Sequence, residues 1–286
     1  MLTLISVFLF VASSGLLVWY FLKKDGGAKE PKGALLAAVG FGVLASAAAA
    51  WAELFLPKTN GPAITLASLA LVSLGVGIIE ECAKSVPLAL FTRGKSYFNE
   101  HTDGVIYFGI AGLTFGLIEN LVYVFLYRNR LGASEMLGIL RLVILFFFHA
   151  ASAGIVGYYF AKAKIQKQTL LKPITALGIM AIVHGLYDFL FLYGAFAYQK
   201  GGLTSDTSSA LVVLALVGGL IISALLNTFL FLYFMRARQW DASIGLAVDP
   251  KLPALQSPQA MLTAQPPAVQ AGWAGSAPVI VSPDRR

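Results

Sequence analysis

The chain has a single cysteine, Cys82, so it can form no internal disulfide and no paired-cysteine metal site. Charge is equally scarce. Only 12% of its 286 residues are charged, about half the share of an ordinary soluble domain. No HExxH stretch marks a zinc-protease helix, no GxSxG marks a nucleophile elbow, and no glycine-rich phosphate loop precedes a helix. The first apolar block lacks a preceding basic residue and a small-residue cleavage site, so it reads as a retained helix and not a cleaved signal. The formal charge of +7 would suggest nucleic acid on a soluble protein. Here the basic residues fall in short gaps between apolar blocks, which argues against a nucleic-acid partner.

What is abundant is apolar sequence, 58% of the chain, gathered in blocks of 20 residues or more. A helix of about 20 residues crosses a hydrocarbon core of about 30 Å. Lipid offers backbone groups no partner, so such blocks must be helical. The pattern predicts an all-α polytopic membrane protein of about seven helices: 2–22, 33–56, 63–91, 103–127, 137–161, 171–193 and 209–235. Pro87 marks a kink near the end of the third, and Pro173 suits the first turn of the sixth. The transmembrane domain is expected over residues 1–238, with a motif-bearing core at 63–195. Residues 239–286 hold seven of the twelve prolines among Ala, Gln, Ser and Gly, and read as a disordered tail. Alternate gaps carry twelve and four basic residues, which predicts an outside N-terminus and a cytoplasmic C-terminus. Gly109, Gly112 and Gly116 on the fourth helix, and Ala153 and Gly157 on the fifth, form small-residue stripes for close helix contact.

Ionisable residues inside such blocks cost at least ~2.5–3.5 kcal/mol each and are functional candidates by default. The third helix carries Glu80, Glu81 and Lys84. The fourth starts at Asp103 and carries Glu119 and Asn120. The fifth carries His149, and the sixth His184 and Asp188. Glu80 and Lys84, four apart, share a helix face, with Glu81 turned about 100° away. Two adjacent buried carboxylates cannot both ionise cheaply, and a lysine that holds one ionised separates an acid from a base. The plainer reading is an ion pair that fixes helix register. His184 and Asp188 also share a face; the aspartate orients the imidazole, or both bind a metal, or the pair glues helices. Asp103 reads equally as an N-cap. His101 falls in a solvated loop, Glu53 snorkels from a block end, and Cys82 is an inert buried thiol.

Glu80-Glu81-Cys82-Ala83-Lys84, Asp103-Gly104-Val105-Ile106-Tyr107, Phe115-Gly116-Leu117-Ile118-Glu119-Asn120, His149 and His184-Gly185-Leu186-Tyr187-Asp188 occur in the order in which the PrsW family of intramembrane proteases carries them. The resemblance spans roughly residues 75–195. It implies a glutamate-dependent peptidase that cuts membrane-tethered proteins, as in regulated proteolysis of an anti-sigma factor, and kinship with the prenyl-protein and bacteriocin-processing proteases. That clan's EExxxR, FxxxH and HxxxN differ here at Lys84, Glu119 and Asp188. The expected catalytic set is Glu80 as base, Glu81 or Glu119 as second carboxyl, His149 and His184 as oxyanion stabilisers, and Asp188 orienting His184. Lys84, Asp103 and Asn120 support it. A divalent metal such as zinc would sit among Glu81, Glu119, His149, His184 and Asp188. The competing readings are a catalytically silent scaffold akin to the gamma-secretase scaffold subunit, and a proton-coupled transporter. All require one condition. Glu80 counts toward the cytoplasmic half of its helix, Glu119 toward the outer half, and the two histidines mid-way, so the residues meet only if the helices tilt or start off-level.

Overall fold

The computed structural model describes residues 2–57, 65–126, 147–201 and 206–245. All elements among the described residues are helices: α1 (Leu2–Lys24), α2 (Lys32–Glu53), α3 (Leu66–Arg93), α4 (His101–Leu126), α5 (Phe148–Ile165), α6 (Leu171–Gly201) and α7 (Asp206–Ser243). Six are long and apolar enough to cross a membrane, through Val7–Lys24, Lys32–Glu53, Leu66–Arg93, His101–Val122, Leu171–Tyr193 and Val213–Ser243. The chain is an integral multi-pass membrane protein. Large apolar side chains such as Phe8, Leu71, Leu90 and Leu214 remain exposed because their solvent is lipid.

Local sequence sets the helix ends. Thr65 caps α3 by accepting from the Ser68 N–H, and the Ser68 hydroxyl accepts from the Thr65 N–H in return. Pro87 lies inside α3 and does not end it. The first part of the expected fifth helix, 137–146, lies outside the described residues, as does most of the expected tail. The described α5 starts at Phe148, after Phe147 in the left-handed region (φ 62°, ψ 7°), a conformation that strains an aromatic residue. At the far end of the chain α7 runs on to Ser243, past the point where the sequence suggests a tail.

The hydrophobic effect gives no drive for helices to associate in lipid, so close packing must do so. A Cβ on Gly112 would lie 2.1 Å from the His149 carbonyl oxygen, and one on Gly104 would lie 2.1 Å from that of Gly157, so α4 and α5 touch backbone to backbone. Gly109, expected in the same stripe, has room to spare: its nearest neighbour is Ala150 O at 3.8 Å. The α3–α6 seam closes in the same way, at Gly77 against Ala181 O (2.4 Å) and Gly185 against Leu74 Cα (2.8 Å).

One end of the bundle gathers the α1–α2, α3–α4 and α5–α6 turns and the C-terminus of α7, and carries the larger basic set. Lys164 Nζ donates there to the carbonyls of Thr92, Lys95 and Phe98, at 3.1, 2.8 and 2.7 Å, and ties the α3–α4 turn to α5. His101 is not solvated: it is fully buried as the first residue of α4. The Asp241 carboxylate of α7 accepts from the His101 and Thr102 backbone N–H groups at 2.8 and 3.0 Å and pairs with His101 Nδ1 at 2.7 Å. Trp240 stacks on the His101 ring, with Lys162 Nζ 4.9 Å from the Trp240 ring centroid. Acidic side chains of the two neighbouring turns, Asp25 and Glu100, sit against each other. Burial, then repulsion from Glu100 and Glu30, raises the Asp25 carboxyl to about 7; burial also raises Glu100.

Candidate active site

Glu80, Glu81 and Lys84 lie near the middle of α3 and turn inward between α4, α5 and α6. Glu81 is fully buried. Its Oε1 accepts from Lys84 Nζ at 2.7 Å, Ser152 Oγ at 3.0 Å and His184 Nδ1 at 2.8 Å. The ion pair therefore runs from Lys84 to Glu81, three residues back, and not to Glu80, four back. Helical side chains lean toward the N-terminus, so either spacing reaches; the donors on α5 and α6 decide for Glu81.

Lys84 also reaches His149 Nδ1 at 2.9 Å, and its ammonium lies 4.8 Å from the Phe115 ring centroid. A donor on Nδ1 puts the His149 ring proton on Nε2, which faces Glu119 Oε2 at 2.8 Å. His184 is set the opposite way. Its Nδ1–H donates to Glu81, which leaves the Nε2 lone pair facing Glu80 Oε2 at 3.4 Å and Asp188 Oδ2 at 3.5 Å. Glu81, and not Asp188, fixes that imidazole. Glu80 Oε2 is 3.8 Å from His149 Nδ1, so it lies between the two rings, whose centroids are 5.2 Å apart.

Glu80, Glu81, Lys84, Glu119, His149, His184 and Asp188 thus come together. The tilt and offset that the sequence demanded are met in part by α5: His149 is the second residue of the described helix and not a mid-helix residue. Gly116 lets the ring in, since a Cβ there would lie 2.7 Å from His149 Cδ2. Two expected residues stand differently. Asp103 lies at the basic end as the third residue of α4, where its carboxylate accepts from the Asn99 and Glu100 N–H groups just before the helix at 2.6 and 2.8 Å; it joins neither the buried cluster nor the N-cap position. Asn120 is 1% exposed, and its side-chain amide has no hydrogen-bond partner among the described residues.

The sequence does not single out two further members. Ser152, one turn after His149 on the same face, is a candidate only once Glu81 is known to point toward α5. Glu53, the last residue of α2, is half-buried and lies within electrostatic reach of Glu80, Glu119, Asp188 and His184; it does not snorkel to the interface alone. A glutamate at the end of an apolar block carries no signal of such a contact.

Five carboxylates (Glu53, Glu80, Glu81, Glu119 and Asp188) thus surround one ammonium, Lys84. That imbalance calls for protons or a bound cation. Glu80, His149 and His184 each offer one ligand atom within 4.8 Å of the others, all buried. Glu80 Oε2 has no hydrogen-bond partner, which suits a ligand. A carboxylate on the distal nitrogen of His184 is the usual orienting partner of a metal-binding imidazole. Two imidazoles and a glutamate form a donor set of the kind that holds catalytic zinc, so the residues present fit a divalent metal. Ligation by His149 would displace Lys84 from Nδ1 or Glu119 from Nε2.

Proteins named "Protease PrsW" match from Clostridioides difficile (32% identical over 41% of this chain and 49% of that protein), Bacillus subtilis (27% over 61% and 77%) and Geobacillus kaustophilus (28% over 64% and 77%). The chain therefore spans about half of the first and about three quarters of the other two. No solved structure matches it. The family model described as "PrsW family intramembrane metalloprotease" matches residues 30–217, α2 through the first turns of α7 and every residue of the buried cluster. With that match over well over half its length, the chain belongs to the PrsW family of intramembrane metalloproteases.

Proposed function

We propose that this chain is an intramembrane endopeptidase that hydrolyses membrane-tethered proteins with a glutamate-activated water, in regulated proteolysis of a signalling protein. The observation that carries the reading is the position of Glu80 between two oppositely set imidazoles, with its neighbour Glu81 committed to Lys84, Ser152 and His184. A merely structural ion pair would need one glutamate, not two with separate surroundings.

Glu80, His149 and His184 would hold a divalent metal such as zinc. When bound, that ion lowers the pKa of its water and polarises the scissile carbonyl. The glutamate that receives the water's proton is then Glu119, since Glu80 is taken up as a ligand. Glu119 and Asp188 are 16% exposed at their side chains, against 5% or less for Glu80, Glu81, His149 and His184, so they line the side that water reaches. Glu119 Oε2 takes the proton and returns it to the departing amine. Asp188 faces His184 from the same side. Glu81 keeps the His184 proton on Nδ1, and Lys84 pairs with Glu81 from the other side. The larger basic set puts the end that holds the α3–α4 turn in the cytoplasm, with the N-terminus outside.

The test is cleavage of a co-reconstituted single-span reporter by wild type, Glu80→Gln, Glu81→Gln and Glu119→Gln. Each variant is expected to insert normally and to lose cleavage by at least about 100-fold, the scale of one lost catalytic group. Undiminished cleavage by both Glu80→Gln and Glu81→Gln removes the assignment.

A further inference from the structure

We propose that Lys162 of α5 and Arg236 of α7 seat the phosphate of an anionic phospholipid at the basic end of the bundle, with the acyl chains lying along an exposed apolar face of α7. The inference is independent of the proteolytic reading.

Aromatic contacts bring the two basic residues together. The Tyr159 and Tyr233 hydroxyls meet at 2.7 Å, and the Tyr158 and Tyr233 ring centroids are 4.9 Å apart. One turn further along α5, Lys162 Nζ lies 4.9 Å from the Trp240 ring centroid and 6.0 Å from that of Tyr158. Helices α5 and α7 are thus aligned at Tyr233 and again at Trp240. Arg236 stands between those two positions on α7, one turn from each and on the same face, which places it beside Lys162. Its charge reaches Lys162, Tyr158 and Tyr233, and Lys172 at the start of α6 adds a third cation within electrostatic reach of Lys162. None of the three has a carboxylate partner among the described residues. The acid of this region, Asp241, is already engaged: it accepts from the His101 and Thr102 N–H groups and the Thr102 hydroxyl, and pairs with His101 Nδ1. Cations crowded from three helices without a counter-charge call for an anion, and basic pockets between membrane helices take lipid headgroups.

The surroundings select a lipid over a soluble anion. Leu225, Phe229, Leu232 and Arg236 follow one another at helical spacing along α7 and share one face. The three apolar members are 53%, 48% and 57% exposed, and all lie in a membrane-spanning stretch. That face is an apolar track that ends on a guanidinium. An arginine fork matches two phosphate oxygens, and a lysine adds a point charge. Tyrosine and tryptophan at the same level are the side chains that favour the headgroup layer. A phosphate held there ties α5 to α7 beside Trp240, which stacks on His101 of α4.

The experiment titrates the full-length chain in mild-detergent micelles with phosphatidylglycerol, phosphatidylcholine or glycerol phosphate, and reads bound molecules by native mass spectrometry. Phosphatidylglycerol is expected to bind at least about 10-fold more tightly than phosphatidylcholine, and glycerol phosphate not to be retained. Lys162→Gln/Arg236→Gln should weaken phosphatidylglycerol about 25-fold, since each basic residue near an anionic headgroup is worth roughly 5-fold. Lys29→Gln/Lys32→Gln removes the same charge from the exposed α1–α2 turn and is expected within about 2-fold of wild type, because the attraction fades over a Debye length. Should the double variant not fold, Lys162→Gln and Arg236→Gln singly are each expected about 5-fold weaker. Equal weakening by the α1–α2 pair, or phosphatidylglycerol held no better than phosphatidylcholine, overturns the seat in favour of diffuse surface charge. Glycerol phosphate held as tightly as the lipid overturns it in favour of a soluble anion.

Discussion

Replacing Lys84 by methionine isolates a fully buried ion pair at the centre of the site. The ammonium is 1% exposed and lies 2.7 Å from Glu81 Oε1. At that distance the attraction is about 6 kcal/mol for an effective dielectric of ~20, most of it offset by the cost of burying both charges. Removal of one partner strands the other, which typically costs about 3–5 kcal/mol. Glu81 keeps the Ser152 hydroxyl and His184 Nδ1 as donors, so the low end, about 3 kcal/mol, is expected. On the scale of domains of this size that is a loss of about 6–12 °C in Tm. The double variant Lys84→Met/Glu81→Gln removes both charges, keeps an acceptor for Ser152 and His184, and should recover at least half of the loss. Thermal unfolding in micelles reads both. Cleavage should vanish in either case, because His149 loses the donor that fixes its ring. A single variant within about 1 °C of wild type, or a double variant no more stable than the single, would refute the pairing.

Two further expectations concern other parts of the fold. Gly112→Ala places a methyl 2.1 Å from a backbone oxygen of α5 and should cost about 2–3 kcal/mol, whereas Gly40→Ala, with nothing within 4 Å, should leave Tm unchanged or slightly raised; equal midpoints would contradict the α4–α5 contact. Asp25, held at about 7, keeps in the folded state a proton that the unfolded chain releases near pH 4. Its contribution to stability is complete below pH ~4 and is lost as pH rises through 7. Asp25→Asn should therefore match wild type near pH 4.5 and exceed it by on the order of 1–2 kcal/mol at pH 8, after discounting for the partly solvated carboxyl. Unfolding midpoints that diverge toward low pH instead would reverse that sign.

Much of the architecture is legible because lipid punishes polar atoms so heavily. The apolar blocks delimit the helices within a few residues at most ends, and Glu80, Glu81, Glu119, His149, His184 and Asp188 stand out as charges that a bilayer would otherwise exclude. Pairings between helices are not legible in that way. Periodicity puts Lys84 and Glu80 on one face, but the choice of Glu81 depends on Ser152 and His184, some 70 and 100 residues away. Glu53 and His101 look like interfacial residues because hydropathy sees the end of a block and not what packs across it. The level of His149 depends on where α5 begins, and an aromatic residue in a left-handed conformation has no sequence signature.

The cap on α4 comes from Asp241, 140 positions further along the chain. A ribosome delivers the fourth helix long before that carboxylate exists, and until the seventh has entered the bilayer the opening turn of α4 goes without its acceptor. The helix that supplies Glu119 is thus completed by nearly the last residue of the bundle to be made. A nascent chain interrupted anywhere between Asp188 and Asp241 would already contain every acidic and histidine residue of the buried cluster, yet would lack the clasp that seats one of its walls.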